Sequence, residues 1–79
     1  MKLPRDLAGS ELAKRLSQLG YQVSRQTVSH MRLTTQHGGE HHITIPAHDP
    51  LKLGTLNAIL REVERHHGLS RAHLLERIG

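Results

Sequence analysis

The chain reads as a two-layer α+β sandwich, with one face of a three-stranded antiparallel sheet covered by helices. Three observations predict it. A helical leucine stripe opens the chain, three short segments alternate apolar and polar residues, and a second helical stripe closes it. Within "GSELAKRLSQLGY", Leu12, Leu16 and Leu19 recur at helical spacing, Ser10 is a suitable N-cap and Gly20 a suitable C-terminal stop. "YQVSRQ" alternates, turning Tyr21 and Val23 inward and Gln22, Ser24 and Gln26 outward. "SHMRLTT" and "HHITIP" repeat the pattern, with Met31, Leu33, Ile43 and Ile45 as their core set.

The intervening "QHGGE" sets the register. A two-residue Gly-Gly turn would oppose Leu33 to Thr44, setting a core position against a solvent one. A loop of three residues (His37-Gly38-Gly39), or of five, opposes Leu33 to Ile43 and Met31 to Ile45. On the other face, His30 then meets Pro46, Arg32 meets Thr44 and Thr34 meets His42. Beyond the loop "PAHDP", Leu56, Ile59, Leu60 and Val63 form a helical stripe with Thr55 as N-cap and Gly68 as stop. "SRAHLLERI", capped by Ser70, closes the chain. Both amphipathic helices belong on the apolar sheet face. The open face shows Gln22, Ser24, Gln26, His30, Arg32, Thr34, His42 and Thr44.

A chain of 79 residues forms a single domain, 1–79, burying only about 60–65% of its unfolded surface. Without cysteine it has neither disulfides nor thiolate zinc sites. No apolar run approaches the roughly 18 residues of a membrane span, and the start lacks a signal-peptide block. These features predict a soluble cytoplasmic protein. The net charge is +4, and residues 1–33 hold six basic side chains against two acidic ones. That bias suits a polyanion. Tyr21 is the only aromatic residue, which argues against modules that stack bases on aromatic rings. Eight histidines would carry the charge from +4 to +12 if all were protonated.

His30 and Arg32 share the open face about 7 Å apart along their strand. RNA cleavage by the 2′-hydroxyl needs a base for that proton, an acid for the leaving oxygen and positive charge for the phosphorane. Histidine meets the first two needs and the planar arginine fork the third. His48 follows Pro46, the partner of His30, and is a candidate second acid–base group or phosphate contact. "HGGEHH" assigns no metal site, because His41 and His42 point to opposite faces and His37 and Glu40 flank a turn. "RHHG" ends a helix, where cations complement the dipole.

The opening helix ending in "LGY", the "SH" of the second strand, "IPAH" closing the third and "LGTLNAILRE" together resemble the HicA-type (YcfA-like) mRNA interferase toxins, over about residues 2–75. The resemblance implies a fold like the double-stranded RNA-binding domain, metal-independent endoribonuclease activity on mRNA, no cofactor, and inhibition by a HicB-type antitoxin. It maps the catalytic histidine onto His30, preceded by Ser29, and a further histidine onto His48. Arg32, His48 and Ser29 are the candidate helpers. Lys2, Arg5, Lys14, Arg15 and Arg25 are the candidate RNA-backbone contacts. Where the family usually has Gly-Ser-His, this chain has Val28-Ser29-His30, and strand parity places the valine on the His30 face. The alternative reading is a non-catalytic RNA-binding module of the double-stranded RNA-binding type, which needs no aromatics.

Overall fold

A computed structural model describes residues 6–79. The elements run α1 (Gly9–Leu16) with a 3-10 turn (Ser17–Leu19), β1 (Gln22–Gln26), β2 (His30–Thr35), β3 (His41–Pro46), α2 (Leu53–His67) and α3 (Arg71–Ile78). The three strands form one antiparallel sheet in the order β1-β2-β3. Met31, Leu33, Ile43 and Ile45 are buried against Leu12, Leu16, Leu60, Val63, Leu74 and Ile78, whereas Arg32, His42 and Thr44 are exposed. The helices therefore cover the β2 and β3 part of one sheet face, whereas every residue of β1 is exposed, including Val23, which the alternation turns inward. Each fully buried Leu or Ile contributes about 1.5–3 kcal/mol through the hydrophobic effect.

The β2–β3 register is the one that the odd loop predicts. Leu33 pairs with Ile43, Met31 with Ile45, Arg32 with Thr44, Thr34 with His42 and His30 with Pro46. Pairing extends to Thr35 and His41, so the connection is the five-residue form. Gly38 and Gly39 both take positive φ (73° and 100°), where a β-carbon would be strained. Gly20 ends the first helical segment in the left-handed region, and a β-carbon there would press on the Thr35 hydroxyl. That hydroxyl is needed where it is. It donates to the Leu19 carbonyl (3.0 Å) and accepts from the His37 N–H (3.1 Å), leaving this buried polar residue satisfied.

Four further expectations are corrected. α1 starts at Gly9 with Ala8 as N-cap, not Ser10. The Gly9 N–H donates to the His48 carbonyl (2.9 Å), so a backbone group from the β3–α2 loop does the work of a cap. α2 starts at Leu53 after Lys52, not after Thr55. A bulge between Val23 and Arg25 shifts the β1 register, pairing Arg25 with Arg32 and Gln26 with Met31. Arg25 thus joins the open face and Gln26 leaves it. Val28 lies before β2 rather than on it and is fully exposed, so it adds no bulk to a strand face. Ser70 does cap α3, accepting from the His73 N–H (3.2 Å), and Gly68 does end α2.

Candidate functional site

His30 is the first residue of β2, held by the tight segment before it. The Thr27 hydroxyl accepts from the His30 N–H (3.1 Å), and the His30 carbonyl accepts from the Thr27 N–H (2.9 Å). The ring is exposed, and its Nδ1 hydrogen-bonds the Ser29 hydroxyl (2.9 Å). A hydroxyl both donates and accepts, so Ser29 can partner either neutral tautomer. Nε2, with no hydrogen-bond partner among the described residues, is left to take or give a proton. Arg32 stands one outward position further along β2, opposite Arg25 on one side and Thr44 on the other. Like charges directly opposed across a sheet are unfavourable by themselves. Two arginines opposed at this register therefore suit an anion.

The other sequence-derived residues separate. His48 is exposed and lies just beyond the corner. Ala47 N–H extends the ladder to the Ser29 carbonyl (2.8 Å), and the His48 carbonyl is tied to Gly9. Its ring does not line the hollow beside His30. That hollow, of about 510 Å³, is lined by His30, His42, Ile43, Thr44, Pro46 and residues of α2. His42 is thus the histidine that shares the hollow with His30. Its Nδ1 bonds the Thr34 hydroxyl (2.8 Å) and its Nε2 bonds Glu40 (2.9 Å). Ser24 continues this line to Thr34 (2.7 Å). The hydrogen bond from His42, then that from Gln36, holds the Glu40 carboxyl below its ordinary range. The β2–β3 register puts His42 on this face, and the polar alternation of "HHITIP" is the signal that could have singled it out.

Lys14 is exposed on α1 and lines a hollow with Val23 and Gln26, on the β1 side of the molecule. Arg15 is committed elsewhere, 3.7 Å from Glu11 and donating to the Ile78 carbonyl (3.4 Å). Lys2 and Arg5 lie outside the described residues.

A second histidine group forms where the β2–β3 loop meets the end of α2. The buried Tyr21 hydroxyl bonds His41 Nδ1 (2.8 Å) and His67 Nε2 (3.1 Å). His66 stacks on His41, centroids 4.3 Å apart and planes 9° apart. Its Nε2 lies 3.1 Å from the carbonyls of both His37 and Gly39, so it carries the proton and donates. His37 stacks on His67 at 5.9 Å. Burial first, then the neighbouring His66, lowers the pKa of both His41 and His67. Burial, then Glu62, pushes Tyr21 up to about 12. The rings stack instead of converging on a point, and no three metal-ligating side chains converge among the described residues. None of the described helices is long and apolar enough to cross a membrane.

The fold and site define a small α+β domain compatible with the double-stranded RNA-binding arrangement, bearing an exposed histidine and paired arginines on its open sheet face. The family described as the HicA toxin of bacterial toxin–antitoxin systems matches residues 9–64. The chain belongs to that family, a toxin whose natural counterpart is an antitoxin. No curated protein and no solved structure matches the chain.

Proposed function

We propose that the protein is an endoribonuclease toxin that cleaves mRNA without a metal ion and is neutralised by a HicB-type antitoxin. The observation that carries this reading is His30, exposed at the head of β2 with Nδ1 on Ser29, Nε2 without a partner among the described residues and Arg32 one outward position further along the strand. His30 Nε2 takes the 2′-hydroxyl proton as the 2′-oxygen bonds to phosphorus. The phosphorus–O5′ bond breaks, and the leaving oxygen receives a proton from a protonated imidazole or from water. Arg32, with Arg25 opposite, neutralises the phosphorane, a task for which a rigid two-donor fork is suited. Ser29 holds the imidazole. His48 is kept as a corner contact for the RNA strand, and Lys14 as a distal one.

General acid–base catalysis contributes typically 10²- to 10⁴-fold. His30→Ala is therefore expected to lower cleavage of an mRNA substrate in EDTA by at least about 100-fold, with the melting temperature within a few degrees of the parent. Undiminished cleavage by that variant removes His30 from the mechanism. Binding that weakens steeply with salt, with no product from the parent protein, establishes the non-catalytic RNA-binding reading instead.

A further inference from the structure

The two edges of the sheet differ. On β1 the bulge at Ser24 and Arg25 breaks the ladder, a device that discourages further pairing. β3 is regular from His41 to Pro46. One hydrogen bond, from the Ala47 N–H to the Ser29 carbonyl (2.8 Å), sets which groups of β3 face outward. Antiparallel ladders alternate between hydrogen-bonded and non-hydrogen-bonded pairs. His41, Ile43 and Ile45 therefore aim their N–H and C=O groups at β2, and His42 and Thr44 aim theirs at the free edge. Pro46 belongs to the outward set but has no N–H, and its carbonyl is covered by Gly9. Two donors and two acceptors remain on the edge without a partner among the described residues.

Beside this edge lies the 510 Å³ hollow, and α2 overhangs it. Thr55, Ala58, Ile59 and Glu62 recur as one helical stripe along it. Ile43 and Ile59 give it an apolar floor, and Ala58 is exposed. The helix layer is thus wider than the sheet beneath it on this side. One more strand would fill the gap, with alternate side chains meeting α2 and the open face.

We infer that the free edge of β3 and the hollow beneath α2 form a docking slot for an extended segment of the antitoxin, which adds to the sheet as a fourth strand. The inference rests on the antitoxin partner proposed above and not on RNA cleavage. The edge selects the occupant, because two outward N–H groups and two outward carbonyls match an extended peptide backbone. The open-face side of the slot carries His30 and His42, which favour polar or acidic side chains from the partner, while Ala58 and Ile59 on the α2 side favour small apolar ones beside Glu62. A second copy of this chain would lay the same two histidines and Glu62 alongside themselves, with no complementary group opposite. RNA phosphates only accept hydrogen bonds, and its 2′-hydroxyl and base donors lack the alternating donor–acceptor spacing of an extended peptide backbone. A strand seated here also closes the hollow that His30 lines.

The test uses the full chain, alone and in complex with the product of the reading frame adjacent to its gene. Amide hydrogen exchange at His42 and Thr44 is expected to slow at least tenfold in the complex, with the β1 edge unchanged. Thr44→Pro removes one outward N–H at an edge position where proline is tolerated, and Ala58→Arg fills the slot. Each is expected to weaken the complex at least tenfold while circular dichroism stays that of the parent. A complex that forms with His42 and Thr44 exchanging freely overturns strand docking. Protection of those amides in the toxin alone that grows with its concentration overturns the choice of occupant. Failure of any complex to form overturns the antitoxin reading beneath the proposal.

Discussion

Two histidine neighbourhoods divide the labour of this small domain. At the start of β2, His30 is exposed, its ring held among the described residues by Ser29 on one nitrogen, with Arg32 one outward position further along the strand. At the loop end of the hairpin, His41 and His67 close on the buried Tyr21 hydroxyl and are stacked by His66 and His37. The residue type is the same. Solvent and neighbours decide what it does. An imidazole with a free nitrogen in water exchanges protons, whereas one packed among other imidazoles disfavours its charged form and serves as a flat polar packing element.

The contrast predicts opposite responses. The largest is the loss of cleavage in His30→Ala, with the fold intact. Next, Tyr21→Ala removes a 1%-exposed ring from the core. It is expected to cost about 3–5 kcal/mol by denaturant titration, as large-to-small core changes do. An equal stability loss from His30→Ala would erase the distinction between the two regions. Gly9→Ala tests the corner that carries His48. The added β-carbon would meet the Pro46 carbonyl, and backbone shifts of that kind cost about 1–3 kcal/mol. The histidine cluster should keep its structure in this variant, as read by the Tyr21 hydroxyl and imidazole resonances in NMR.

The smallest effect is that of pH. The folded-state pKa values of His41 and His67 lie below the ordinary value of about 6.5. The unfolded chain therefore binds more protons than the folded one as the pH drops below that value. The contribution to stability is present above about pH 6.5 and is lost as the pH falls through the depressed folded values. The melting temperature is expected to fall by several degrees between pH 7.5 and 5.0 for a domain of this size. His67→Gln should flatten that dependence.

Local pattern carried much of the architecture. The alternation in "HMRLTT" and "HHITIP" and the length of the glycine loop specify the register, because a one-residue slip would turn Met31 and Leu33 out of the core. The ends of helices were less legible. Ser10 and Thr55 are good capping side chains, yet α1 begins where the Gly9 N–H finds the His48 carbonyl. A tertiary hydrogen bond outweighed a local one. The β1 bulge carries no glycine to announce it, and parity therefore misplaced Gln26 and Arg25. His42 was visible on the open face, but only the position of α2 shows that it shares a hollow with His30.

The amino-acid order alone determined the element sequence, the hairpin register and the outward placement of His30 and Arg32, since each follows from side-chain period and turn length over a few residues. Only the folded chain decided which histidines meet. Tyr21, His41 and His67 are far apart in sequence, and their contact exists because the hairpin loop is laid against the end of α2 by core packing. The same packing decided that α2 extends past β3 and leaves an edge beside His30 open. No local period encodes how far one layer overhangs another.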